Sequence, residues 1–200
     1  KRHDIKIRPV DVNYSSWEHT LEKSSEYSLS RKYNFSIRLG FRIIKGLSKM
    51  DSLKIKNCNQ RFENIDDFHN KTNLSKAKLS LLSSAGALDS INKDRRITQW
   101  HSLSLKKDQL SLCNKTDEVN LPSLNLIDKM WGDYDLTGLT LGEHPMSLFR
   151  ENIGLFKNCK RNCDLSHLNH KQEILIAGIV TGRQRPGTAS GVIFITLEDE

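Results

Sequence analysis

The sequence predicts a mainly α chain with short β segments at its N-terminus and a β-hairpin at its C-terminus. Three observations predict it. Side chains that start helices, Ser48, Asn64 and Ser75, stand ahead of apolar positions at helical spacing. Apolar residues alternate at Ile5, Ile7 and Val10, and again at Ile37, Leu39, Phe41 and Ile43. Finally, two apolar runs, 174–180 and 192–197, flank a basic segment, 183–191, that contains Pro186, Gly187 and Gly191.

Taken in order, residues 5–12 read as a short strand closed at Asn13. The alternation from Ile37 to Ile43 has period two, which predicts a strand with Arg38 and Arg42 on its other face. Lys45-Gly46-Leu47-Ser48 breaks it. Ser48 with Asp51 three residues on forms a capping box, so a helix is expected from there to about Arg61. Asn64 with Asp67 opens a second, shorter helix. Ser75 caps a third, with Leu74 and Leu79 placed as a hydrophobic staple and Gly86 as the residue that ends it. Residues 95–105 continue as a helix around Trp100, and 106–122 form a polar linker with one apolar patch. Further helices are expected from Ser123 and from His144-Pro145 to about Phe156, because proline suits a first helical turn.

Charge is uneven along the chain. Residues 1–110 carry 22 basic and 12 acidic side chains, net +10, whereas 111–200 carry 9 and 12, net −3. The basic half is where a polyanion would sit, the plain alternative being a solvated lysine-rich surface. No apolar run approaches the ~20 residues of a membrane span and the first residues lack the apolar stretch of a signal peptide, so a cytoplasmic protein is expected. The chain opens without Met and ends on an acidic run directly after a strand-like segment, as a piece of a longer polypeptide would. Cys159, Cys163, His167 and His170 form C-x3-C-x3-H-x2-H, but zinc ligand pairs normally come from separate elements and here three residues separate them. The spacing argues against metal and for reduced thiols, Cys58 and Cys113 included.

Several ordered motifs then carry a family resemblance. Residues 8–15 (RPVDVNYS), 37–47, 62–68 (FENIDDF) and 84–89 (SAGALD) resemble the region after the palm in bacterial C-family DNA polymerases, the DNA polymerase III alpha-subunit type. Arg95-Arg96 before Trp100, residues 133–139 (DYDLTGL), His144-Pro145 and residues 183–189 (RQRPGTA) are similar to the error-prone branch. The resemblance covers nearly the whole chain. It implies the end of the fingers at 1–36, a tandem helix-hairpin-helix domain at 37–105, a linker at 106–122, a helical connector at 123–170 and the first strands of a truncated oligonucleotide-binding (OB) fold at 171–200. In that family the palm aspartates and their Mg2+ lie upstream of such a piece, so no cofactor and no catalytic residue is expected here, and the piece alone should be inactive. Asp66-Asp67 and Asp133/Asp135 fall at family positions without a catalytic role.

The residues Lys45, Gly46, Leu47, Ser48 and Lys49 by themselves read first as a plain strand-to-helix turn, and the resemblance implies duplex DNA as the partner of that turn. A glycine turn opening a helix offers backbone N–H groups and a favourable potential to a phosphate, and such contacts carry no base code. Ser48 stands where many family hairpins have a second glycine. Gly86 is a weaker second contact, equally explained as a helix end, and Arg95 and Arg96 add cations or merely begin a helix. Lys54 and Lys56 add unspecific attraction. Arg183 and Arg185 stand beside Pro186-Gly187, on a loop whose counterpart in oligonucleotide-binding folds lines the strand-binding face toward single-stranded template DNA; with two of about five strands present, single-strand binding by this piece alone should be poor. Gln109, Leu110, Ser111, Leu112 and Cys113 resemble the peptide that docks on the sliding clamp, with Cys113 in place of the usual Phe; a chance match in a polar linker is the alternative. The competing reading of the whole chain is an architectural segment with no DNA contact of its own.

Overall fold

Strand β1 (Lys6–Arg8) runs parallel to β3 (Phe35–Arg38), and β2 (Thr20–Lys23) pairs antiparallel with the other edge of β3, giving the order β1-β3-β2. These positions come from a computed structural model that describes residues 5–23, 35–104, 121–152, 156–188 and 191–199. The chain divides into two units, 1–141 and 142–200.

The strand expected through Ile43 ends at Arg38. Beyond it the ladder partners change: Phe41 N donates to Ser16 O and Arg42 N to Trp17 O, and Phe41–Ile43 winds into a 3-10 turn. Arg38 is buried rather than surface-facing, held by Glu22 through Nε–Oε1 at 2.9 Å and Nη2–Oε2 at 3.1 Å. A buried guanidinium needs such a partner, which accounts for the pairing of β2, a strand with little apolar signal of its own.

Helix α1 (Lys49–Asn57) begins at the expected cap and stops short of Arg61, with Asn59 in a left-handed conformation, φ 47°. Helix α2 (Ile65–Thr72) is capped by Asn64 and α3 (Lys76–Ser84) by Ser75. Leu74 and Leu79, the expected staple, are both fully buried. They join Phe41, Phe68, Leu82 and Leu88 in one core, with Phe62 and Phe68 edge to face at 4.8 Å. Each such side chain contributes roughly 1.5–3 kcal/mol by leaving water. Helix α4 (Arg95–Ser104) packs on α3, and so does α5 (Leu126–Thr137), capped by Asn125 rather than Ser123. The first part of the expected connector therefore lies in the same unit as the hairpin region.

In the second unit, α6 (Pro145–Asn152) starts at the expected proline, and a 3-10 turn covers Asn162–His167. Strands β4 (Ile179–Gln184) and β5 (Phe194–Glu198) form the expected antiparallel hairpin, while 174–178 contributes only a bridge from Ile176 to Lys160. Two strands do not make an OB fold, for which about five are needed. Among the described residues no helix is long and apolar enough to cross a membrane.

Candidate nucleic-acid interface

The turn before α1 is exposed at Lys45, Gly46, Ser48 and Lys49, with Leu47 buried beneath as its anchor. Gly46 has φ +85°, a conformation that a Cβ disfavours, although added bulk there would meet only Leu81 at 3.6 Å. Conformation, then, rather than crowding selects this glycine.

The backbone amides of the turn have different employments. Lys45 N donates to Leu136 O at 2.8 Å and Leu47 N to Ile44 O at 3.2 Å. Ser48 N donates to Asp51 Oδ2 at 3.0 Å, and Asp51 N donates in return to Ser48 Oγ at 3.2 Å, which completes the capping box. The Ser48 hydroxyl also donates to Asp51 Oδ2 at 2.7 Å. Among the described residues, the amides of Gly46, Lys49 and Met50 have no acceptor. Three donors thus remain at an exposed helix start, where the peptide dipoles favour an anion.

Asp51 and Lys78 set the local field. Lys78 Nζ lies 3.2 Å from Asp51 Oδ2 and also donates to the Gly46 carbonyl, so α3 holds the turn in place. Burial works to raise the Asp51 carboxyl, but the hydrogen bonds from Ser48 and the Lys78 ammonium outweigh it and hold the group below the usual aspartate range. Sequence reasoning found the Asp51 cap and missed Lys78, which is 27 residues further along with no local signal. Of the lysines expected to attract phosphate, Lys49, Lys54 and Lys56 are exposed. Lys45 is exposed as well, but its Nζ donates to Asp135 O at 2.7 Å, at the end of α5.

Gly86 and Arg95 are turned to a different use. Gly86 is buried, with φ +70°, and a Cβ on it would collide with the Arg95 guanidinium. Arg95 bonds Asp89 at 3.0 Å and Asp133 at 2.7 Å and is only 12% exposed, so it ties the end of α3 to α4 and α5. The guanidinium's donors are engaged inside the protein by Asp89, Asp133 and the Ser84 carbonyl, and the same group covers Gly86. Arg96 is exposed, with Nη1 on Pro122 O at 2.9 Å. In the second unit Arg183, on β4, and Arg185, just past it, are exposed. The peptide Gln109–Cys113 lies outside the described residues. Among the described residues no group of three or more His, Cys, Asp or Glu side chains is placed to hold a metal ion; Cys159 and Cys163 are free thiols.

Comparison with known proteins bears on this geometry. A helix-hairpin-helix motif family matches residues 4–98, which span the three-stranded sheet, the Gly46 turn and the first three helices. Proteins named error-prone DNA polymerase match the whole chain. The one from Teredinibacter turnerae is 37% identical and that from Pseudomonas fluorescens strain Pf0-1 is 36% identical; the Pseudomonas aeruginosa protein is 35% identical. In each case 100% of this chain aligns with 19% of the relative, so the chain spans about one fifth of the length of the curated relatives it matches.

Proposed function

We infer that this chain, a fragment of a C-family error-prone DNA polymerase, is a segment that holds duplex DNA by its phosphates without reading sequence. The observation that carries the reading is the exposed helix start at Gly46, where three amides lack acceptors among the described residues and Lys49 stands beside them. The phosphate contact is made by the amides of Gly46, Lys49 and Met50 rather than by Ser48, whose amide the Asp51 carboxylate already occupies. Backbone donors and a helix dipole recognise a phosphate group, not a base, so binding is independent of sequence.

The parent enzyme would carry out DNA synthesis, with its palm carboxylates and Mg2+ supplied by residues outside this chain. Here the contribution is grip. Arg183 and Arg185 would touch single-stranded template, and Gln109–Cys113 would reach the sliding clamp. A specific observation favours the architectural reading for part of the surface: Lys45 uses both its amide and its ammonium on the end of α5. That assigns Lys45 a share in holding the unit together and leaves Lys49 as the cleaner probe.

The test is fluorescence anisotropy of a labelled duplex against the chain at two salt concentrations. Lys49→Glu is expected to weaken duplex binding about tenfold and to lower the salt slope by roughly 0.9, the share of one phosphate that is no longer neutralised. Scrambling the duplex sequence should change nothing. Equal titrations for the parent chain and Lys49→Glu would favour the architectural reading.

A further inference from the structure

We propose that the carboxyl end of α5, held in place through Gly132 and Asp133, is a positioning element for the turn at Gly46; this rests on the reading of that turn as a phosphate site. The last four carbonyls of a helix have no intrahelical donor, and two of those in α5 are satisfied by one residue of the turn. Lys45 N donates to Leu136 O at 2.8 Å, and Lys45 Nζ donates to Asp135 O at 2.7 Å. An ammonium at the carboxyl end of a helix is favoured by the peptide dipoles as well. The turn therefore lies between two helix ends of opposite sign: α5 closes on Lys45, and α1 opens at Ser48.

Gly46 is pinned on both sides. Ahead of it the Lys45 amide is bonded to α5, and its own carbonyl accepts from Lys78 Nζ on α3. Glycine is conformationally permissive, so its neighbours must supply the order that keeps its φ at +85°. Those two pins set the direction of the amides of Gly46, Lys49 and Met50, which lack acceptors among the described residues. Order already present before binding strengthens it, because less freedom is lost when the phosphate arrives.

Helix α5 can act as an anchor because Asp133 and Gly132 fix it against α4 and α3. Asp133 Oδ1 accepts from Arg95 Nη1 at 2.7 Å, and its Oδ2 accepts from Thr140 Oγ1 at 3.4 Å. Arg95 also donates to the Ser84 carbonyl, at the end of α3, at 3.4 Å. That same carbonyl abuts α5: a Cβ on Gly132 would lie 3.3 Å from it, closer than ordinary contact. Gly132 and Asp133 belong to the same turn of helix as Asp135 and Leu136, so displacing them displaces the carbonyls that Lys45 uses. Helix α5 lies beyond residue 98, where the helix-hairpin-helix match ends, and the turn is thus held by an element from outside the motif.

The experiment uses the whole chain with a labelled duplex and native-state amide hydrogen exchange. Asp133→Asn removes a negative charge, so attraction to a polyanion alone would tighten binding. Positioning predicts the opposite, a three- to tenfold loss with the salt slope unchanged, since no phosphate contact is removed. Gly132→Ala keeps the ion pair and introduces the best helix former, yet should lose two- to fivefold by pushing α5 away from Ser84. Asp133→Glu, which retains the carboxylate, should recover most of the affinity. In Asp133→Asn and Gly132→Ala the Lys45 amide should exchange at least fivefold faster relative to that of Phe68, which donates to Asn64 O in α2; the ratio separates loosening of the turn from general destabilisation. Duplex binding as tight as the parent's, or an exchange ratio equal to the parent's, would overturn the proposal, and Gly132→Ala decides it wherever Asp133→Asn lacks a native far-ultraviolet spectrum. Should Lys49→Glu leave duplex binding unchanged, the phosphate reading of the turn fails, and the exchange ratio alone decides whether α5 holds it.

Discussion

Two glycine turns in the first unit look alike in sequence and do opposite work. Gly46 precedes a helix and Gly86 follows one, and both have positive φ, +85° and +70°. At Gly46 the surroundings are exposed, and among the described residues amides at the start of α1 lack acceptors. At Gly86 the absent side chain makes room for the Arg95 guanidinium, which Asp89 and Asp133 clamp from either side. A glycine in such a turn thus signals conformation only. Which end of a helix it adjoins, and what packs over it, decides between an open turn and a structural joint.

Alanine at each position sharpens the contrast. Gly86→Ala should be the more damaging, since the left-handed conformation costs a Cβ-bearing residue roughly 1–2 kcal/mol and Arg95 must also leave its carboxylates, for a total of about 3 kcal/mol or more. Gly46→Ala should cost only the conformational part, with Leu81 in ordinary contact at 3.6 Å. Duplex affinity should follow the reverse order: Gly46→Ala weakened severalfold, Gly86→Ala unchanged wherever it remains folded. Urea denaturation and anisotropy on the same two variants check both halves. Equal stability losses would break the distinction.

Much of this arrangement was legible in the sequence because its causes are local. Ser48, Asn64 and Ser75 cap helices where the spacing of side-chain oxygen and first turn predicts, and Leu74 with Leu79 closes the staple. The terminal hairpin follows from its alternation and basic turn. What was not legible depends on distant partners. Strand β2 forms because Glu22 answers a buried Arg38, 16 residues away, and Thr20–Lys23 carries little period-two signal. Arg95 reads as a surface cation until Asp133, 38 residues on, is seen to accept from it. Lys78 likewise has no sequence mark of its contact with the Gly46 turn. Long-range ion pairs leave no periodicity, so they are what local reasoning misses.

A smaller effect probes the cost of the Asp51 cap. Its carboxylate occupies the Ser48 amide at the helix start where a phosphate is proposed to sit, so it stabilises α1 while repelling the ligand. Asp51→Asn should therefore bind duplex two- to fivefold more tightly and unfold about 0.5–1 kcal/mol more easily, the loss expected when a capping interaction is weakened. Weaker binding in this variant would mean that the helix start is not where the phosphate lies.

The two turns also differ in the sign of their response to acid. Asp51 is held below the usual aspartate range: burial opposes this, and hydrogen bonds from Ser48 and Lys78 prevail. Its stabilising contribution is present above the unfolded-state value of ~3.9 and is lost as pH falls through the lower folded value. Asp89 is shifted the other way, because burial pushes it up more than Arg95 pulls it down. Ionising it in the folded state therefore carries a cost, which appears as pH rises through the raised folded value and is relieved on acidification. Side-chain carboxyl resonances followed by NMR should titrate in that order, Asp89 at higher pH than Asp51. In urea denaturation, the stability gap between the parent chain and Asp51→Asn should close on acidification, while the gap to Asp89→Asn should widen by a fraction of a kcal/mol to about 1 kcal/mol. If Asp51 titrated above Asp89, Lys78 would not be holding the Gly46 turn, and the proposed phosphate site would lose its support from α3.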